Sequence, residues 1–564
     1  MTSKTRRYGD PIGETPDWAP HERPMIPGSP STPDMPASRR VWFAFIGLLI
    51  GITSGIGSSI VSANLPAVQG TYGLDTRQGA WLSAIYPMFN ISMNLLLIKY
   101  RQQFGLVRFA KVFLSIYALA TIANLFVTSY PAVLAVRALS GIAGASMGGL
   151  CVMYMMQGLP PQPKYKLPAL LFGIGGTQIG APLIWVLGPE LLDAGGMHYL
   201  LLFQTAMVLL CLAGIQLVRL PPGMRIVAFE WRDIPSFIFL ALGLGTLVAV
   251  ATVGRVDWWL DAPWVGLAIV AAIICLATGA VLEHYRAHPM VDTRWVFTFD
   301  FLNFSLSLML TRVLLIEQPF GVTGLVQTVG LGPDQTQTLY AIILAATVAG
   351  VLTSAFGLML NTKLLPVMLL LALVLISVAA FNDAGATVDT RPANLFVTQA
   401  MMGFAAALFM GCALILGLGR LLARGLNSVV TFAMMFGVTQ MLGGILGGSL
   451  LGTYQSIRAL HHATYLAEGI VATDPSKAQL LQMYSGAYGG VIVDPALRSA
   501  QGMGTLAQQI TQQANILAFN DVFTIIGWGA IALIVMNIFM FIALAKQSKQ
   551  AQANNSSASG AVAI

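Results

Sequence analysis

Charge is scarce in this chain of 564 residues: Asp, Glu, Lys and Arg make up 9% of it, against about 25% in an average soluble domain. With 56% apolar residues and a mean hydropathy of +0.74, there is too little polar surface to cover a soluble protein of this size. Cysteine is nearly absent as well. Cys151, Cys211, Cys275 and Cys412 fall singly inside apolar runs without CxxC spacing, so neither a disulfide framework nor a zinc site is expected. Catalytic signatures are missing too. There is no GxxxxGK followed by Ser or Thr, hence no ATP motor in this chain, no HExxH and no GxSxG; GIGGTQIG at 173–180 lacks the GxGxxG spacing. His461 and His462 are adjacent, so a helix points them about 100° apart instead of setting them to chelate at i, i+4. The reading is no enzyme, no cofactor and no metal.

What is present is a succession of apolar runs, each of about 20 residues and so long enough to cross a bilayer. They lie near 41–63, 79–98, 109–127, 131–156, 168–189, 198–218, 235–253, 263–283, 301–322, 337–359, 364–381, 395–418, 429–452 and 518–545. An even number, fourteen, puts both termini on one side. With the N-terminus inside, the inner segments hold 22 of the 30 Lys and Arg and the outer segments six. That bias places both termini in the cytoplasm and accounts for the net charge of +7 without nucleic acid. Residues 1–40 carry eight prolines, six basic and five acidic residues and no apolar core, and so read as a disordered cytoplasmic tail and not a signal peptide; residues 546–564 read as a second one.

The ninth run, Phe301 to Val322, carries Arg312, Glu317 and Pro319 inside the crossing. An ionised group at that depth costs roughly 2.5–3.5 kcal/mol even on the mildest insertion scale, so such groups must face other helices or a water-filled cavity. At i, i+5 the two charges are about 140° apart on a straight helix, which favours separate partners over a direct salt bridge unless Pro319 bends the helix. Arg137 in the fourth run is either a cavity residue or a packing arginine bonded to carbonyls. Gln399 joins Arg137 and Arg312 as a cavity and substrate candidate. Small residues at four-residue spacing, Gly144 and Gly148, Gly176 and Gly180, and Gly444, Gly448 and Gly452, let helices approach closely, for sliding or for static packing. Between the last two runs, 453–517 is a long outer segment with an amphipathic helix, a Gly-rich turn and a second helix; it suits a cap over the outer mouth or a surface for a partner.

These residues resemble the fourteen-helix drug:proton antiporters of the major facilitator superfamily, the EmrB/QacA group. Ile60 to Pro66 with Gln78-Gly79-Ala80-Trp81 is similar to the family's IVNVALP and QGxW marks. Arg137 with Gly141 resembles its RxxxG, and Gly176, Gly180 and Pro182 a degraded GxxxGP. Asp257-Trp258 and Pro289 to Asp292 resemble the marks that flank two linking helices, while Arg458, His461-His462, Ala507 to Ile510 and Asn520 to Phe523 resemble the outer segment of EmrB-type pumps. The resemblance implies an all-α membrane protein: a six-helix bundle over 41–218, linking helices 7 and 8 over 219–300, and a second six-helix bundle over 301–545 that includes the outer segment. It also implies export of amphipathic organic compounds by proton antiport from a bacterial inner membrane, with a periplasmic adaptor protein and an outer-membrane channel.

Two departures bear on coupling. Gly57 stands where the family usually has an acidic residue, and in the loop after span 2 Ile98 and Gln102 replace the usual glycine and aspartate, while Gly105 remains. Proton coupling then falls to Glu317, Glu190 or Asp521, of which only Glu317 lies well within a span. An exporter of one metabolite or siderophore is the alternative within transport, and a membrane substrate sensor the alternative outside it.

Overall fold

The computed structural model describes residues 8–13, 17–19, 22–24, 26–425, 428–470 and 475–561. Apolar runs become helices because a backbone in hydrocarbon must satisfy its own N–H and C=O groups. The first part of the chain forms α1 (Ala37–Ala63), α2 (Leu65–Tyr72), α3 (Thr76–Phe104), α4 (Leu106–Asn124), α5 (Tyr130–Gly158) and α6 (Pro163–Leu217). Next come α7 (Asp233–Val253), α8 (Pro263–His284) and the short α9 (Thr293–Val296). The rest forms α10 (Phe299–Leu314), α11 (Thr323–Thr328), α12 (Pro333–Leu360), α13 (Leu365–Asp383), α14 (Phe396–Arg424), α15 (Val429–Glu468), α16 (Pro475–Ala487) and α17 (Pro495–Ala561). Among the described residues there is no β-strand, only two isolated antiparallel bridges.

Local chemistry sets the boundaries. Asp75 and Gln78 form a reciprocal capping box at the start of α3, with Gln78 N donating to Asp75 Oδ1 at 2.7 Å and Asp75 N to Gln78 Oε1 at 3.1 Å. Gly105, at φ +83°, breaks α3 from α4 in a conformation that favours glycine.

Among the described residues thirteen helices are long and apolar enough to cross a membrane, counting α10 and α11 as one. The 55-residue α6 would measure about 80 Å as one rod, more than twice a hydrocarbon core, and its backbone is non-helical at Gly195 and Gly196. The packing falls into two groups: α1, α3, α4, α5 and α6 against one another, and α10, α12, α13, α14, α15 and α17 likewise. The groups meet where α6 packs along α12 and where α3 touches α15; α7 and α8 pair with each other, and α7 also lies against α3 and α15. The α1–α6 crossing is made by glycines. A Cβ on Gly55 would fall 2.8 Å from the Gly180 Cα, and one on Gly51 2.9 Å from the Gly176 carbonyl carbon.

Three segments differ from the sequence reading. The N-terminal tail, expected to be disordered, is partly docked: Gly9 N donates to Val227 O and Ile12 N to Arg225 O, both at 2.9 Å, and Gly28 N to Met224 O at 3.0 Å. Ser31 is buried, and its carbonyl accepts from Gln157 Nε2 at 3.0 Å. Proline bars this tail from a helix but not from extended pairing with the equally extended 222–228. At the other end α17 continues to Ala561, through residues read as a tail. In the outer segment the two expected helices are direct continuations of membrane helices. α15 runs 40 residues, about 60 Å, and α17 runs 67, with α16 packed on it.

Candidate functional site

The ninth span is irregular at its charged end. A 3₁₀ turn at Leu315–Glu317 and a π turn at Gln318–Val322 replace the regular ladder around Pro319, which has no N–H to give. This turn aims Glu317 at α13 and α14. Glu317 and Gln399 are each 0% exposed, and Asp383, the last residue of α13, is 3% exposed. Gln399 Nε2 donates to Glu317 Oε1 at 3.1 Å, lies 3.3 Å from Oε2, and reaches Asp383 Oδ2 at 2.9 Å. One amide thus bridges two carboxyl groups, and the amide in turn accepts on Oε1 from Gln318 Nε2 at 3.2 Å. Among the described residues neither carboxyl has a basic partner. Asp383 escaped the sequence reading because the eleventh apolar run was ended at 381; its signal was a polar pair, Asn382-Asp383, at the end of a run.

The two halves meet beside this pair. Tyr340 on α12 exchanges a 2.7 Å hydrogen bond with Thr323 and stacks on Trp185 of α6, with ring centroids 4.6 Å apart. Gln337 Nε2 donates to Val186 O and to Glu190 Oε1, both at 2.9 Å. Glu190 is therefore part of the contact between halves. Asp521 lies at the base of the outer hairpin, where its Oδ2 accepts from Arg458 Nε at 2.6 Å and lies 2.8 Å from His462 Nε2.

Arg137 is 6% exposed and donates through Nη1 to the Gly57 carbonyl at 2.9 Å, with its guanidinium 4.5 Å from the centre of the Tyr86 ring. Gly57 is required there: an added Cβ would overlap the Tyr117 hydroxyl, so a tyrosine fills the space beside this backbone. Gly141 lets α5 lie against the backbone of Tyr86, and Pro182 lies within α6 two residues after Gly180 of the α1–α6 crossing. Arg312 is half-buried on α10, with its stem over Gly443 of α15, and makes no ion pair with Glu317.

The altered loop after span 2 is tied down by another set of charges. Lys99 Nζ and Arg286 Nη2 both reach Asp233 Oδ1, at 2.7 and 2.6 Å, and Arg286 also pairs with Glu283 at 2.8 Å and Glu230 at 3.1 Å. Burial opposes the Arg286 charge, but these partners outweigh it and raise its pKa. Tyr8 of the docked tail covers this cluster, stacked on His288 at 4.0 Å. Gly105 lets Gln102 and Gln103 meet the 226–229 backbone, Gln103 Oε1 accepting from Phe229 N at 2.8 Å. Among the described residues no group of three or more His, Cys, Asp or Glu is arranged to hold a metal ion.

No family model matches the chain. It is 22% identical over 511 residues to the multidrug export protein EmrB of Haemophilus influenzae, covering 85% of this chain and 92% of that protein. It is 21% identical over 525 residues to the probable multidrug resistance protein EmrY of Escherichia coli, covering 91% and 97%. Among solved structures, a bacterial homologue of the human drug peptide transporters PepT1 and PepT2 superposes with a TM-score of 0.53 at 12% identity, over 90% of this chain and 99% of that one. The human organic anion transporter MFSD10 (TETRAN) superposes with a TM-score of 0.52 at 13% identity, over 88% and 100%. The chain is a multi-pass membrane transporter with the major facilitator fold, and in sequence it is similar to EmrB-type multidrug export proteins along most of its length.

Proposed function

We propose that this transporter exports small amphipathic organic compounds by proton antiport, and that Glu317 and Asp383 together form the proton site. The observation that supports this most directly is the buried carboxyl pair bridged by Gln399, with no basic partner among the described residues, next to the contact between the halves. Two carboxyl groups so placed avoid a double negative charge by holding one proton between them, and a rearrangement that admits water to one side lets it leave. Export against a gradient without ATP needs such an ion, and one proton crossing 100 mV is worth about 2.3 kcal/mol. The similarity to EmrB and EmrY supports export of toxic compounds as the direction and class of transport.

The break at Gly195 and Gly196 supports fourteen crossings, since it divides α6 into two membrane-length helices. The basic-residue bias then supports cytoplasmic termini in an inner membrane, with α15, α16 and α17 projecting outside. A projecting hairpin of that length suits docking to a periplasmic adaptor, through which an outer-membrane channel would continue the path. The test is accumulation of a fluorescent amphipathic dye by inverted vesicles when a pH gradient is imposed. Accumulation in wild type that is lost in Glu317→Gln supports the reading; a sensor gives no accumulation, and an exporter of a single metabolite accumulates none of a varied dye panel.

A further inference from the structure

Arg312 sits on α10 where that helix meets α15. Its stem passes Gly443, where an added Cβ would come 2.8 Å from the Arg312 Cβ, and its Nε lies 3.8 Å from the corresponding point at Gly444. Among the described residues the guanidinium has no ion pair and no hydrogen bond, and none of its nitrogens is both sealed off and unbonded. One turn before Gly444 on α15 is Gln440, whose Oε1 and Nε2 are both buried without a partner. An orphaned amide in such a place costs free energy that a ligand or a second conformation recovers.

Space adjoins these two side chains. An added Cβ at Gly437 would meet nothing within 4 Å, one at Gly444 only the Arg312 Nε, and one at Gly448 only Ile316 Cγ1 at 3.8 Å. Positions 437, 440, 444 and 448 share one face of the helix, so this face of α15 is open along about three turns. On α5 of the other half, Gly148 and Gly149 likewise have nothing within 4 Å. The formal charges described along the α15 face are cations: Arg312 at Gly443 and Gly444 and, one turn past Gly448, Arg255, whose Nε lies 3.2 Å from an added Cβ at Gly452; Glu317 and Asp383 are sealed against Gln399.

We propose that Arg312 and Gln440 form an anion subsite that receives the carboxylate of an amphiphilic organic acid, with the acid's apolar body lying along the open glycine face of α15. The planar guanidinium offers paired N–H groups to the two carboxylate oxygens, and the Gln440 amide supplies a further donor. A cationic amphiphile meets a like charge there and no accessible carboxylate. The inference rests on the exporter reading and names its substrate class.

Binding to the purified full chain in nanodiscs, measured by the fluorescence anisotropy of dansyl-undecanoate and of its uncharged primary amide against empty nanodiscs, tests this. Wild type should bind the acid about tenfold more tightly than the amide. Arg312→Gln should remove that preference while leaving the amide's affinity within about twofold, and Arg312→Lys, which keeps the charge and loses the fork, should retain part of it. Gln440→Leu should weaken the acid about threefold and the amide not at all. Equal binding of acid and amide by wild type overturns the subsite, and so does an equal loss of both in Arg312→Gln. Should Arg312→Gln fail to yield monodisperse protein, Arg312→Lys and Gln440→Leu decide by the same comparison. The exporter reading is judged separately in inverted vesicles. Acid preference in binding without pH-driven accumulation sinks the exporter and leaves the subsite, whereas accumulation of acid and amide alike does the reverse.

Discussion

Replacing Glu317 by Gln should cut transport free of the pH gradient, and the geometry sets the size of the effect. Glu317 and Asp383 share a single bridging amide and, among the described residues, have no basic partner, so the proposed site is taken to carry one shared proton when loaded. One proton exchanged per substrate, with the membrane potential clamped at zero, converts each pH unit into about 1.4 kcal/mol and hence about a tenfold accumulation of dye inside inverted vesicles. Glu317→Gln keeps the volume and an oxygen and nitrogen in place of the carboxyl, so the helix turn and the Gln399 bridge have partners left. It should still bind dye, yet equilibrate it to an inside-to-outside ratio near one at any pH difference. Two results would refute the reasoning: a Gln variant that keeps the tenfold dependence on pH, which moves the proton to Asp383 alone or to Glu190 or Asp521, and a wild type that accumulates about a hundredfold per unit, which requires two protons.

Gly57→Ala should lower the thermal midpoint of the solubilised protein by the equivalent of about 1–3 kcal/mol, because its methyl meets the Tyr117 hydroxyl, and Tyr117→Phe in the same chain should recover most of the loss; an unchanged midpoint in the single variant argues against the contact. Asp233→Asn leaves Lys99 and Arg286 buried beside a neutral group and should cost about 3–5 kcal/mol, read in the same melt, whereas Lys99→Met combined with Asp233→Leu should cost much less. A reporter active only outside the cytoplasm should be active when fused after Lys477 and silent after Arg225, and the opposite pattern overturns the crossing count.

Most of the fold was legible because the bilayer imposes a length on every apolar run, and the structure's helices follow those runs closely. The fifth and sixth runs are a useful case. They are merged into one long helix in the structure, and only the glycine pair at 195 and 196 marks the division between the apolar runs 168–189 and 198–218. Glu317 stood out because a carboxyl inside hydrocarbon is costly, and Gln399 is the residue that holds it. Asp383 did not stand out, since a hydropathy window ends where an aspartate begins, even when the helix carries that aspartate into the protein interior. The docked tail was invisible for a related reason: main-chain pairing of 9–12 and 28–31 with 222–227 leaves no mark in side-chain pattern. Gln440 was passed over because nothing in a single polar residue within an apolar run announces whether its amide is matched.

The continuity of α15 and α17 across the membrane boundary has a mechanical meaning. Each is a single stiff rod, about half of α15 standing beyond a hydrocarbon core of roughly 30 Å, and the clasp of Asp521 with Arg458 and His462 fastens the two rods together at the foot of the overhang. A rod of that kind is a lever. For every ~10° that its membrane part tilts, a tip about 30 Å away sweeps roughly 5 Å, without any hinge to absorb the motion. On the exporter reading proposed above, whatever rests on the tip would be displaced by the same strokes that expose and seal the interior, so the overhang and the interior would keep one common rhythm.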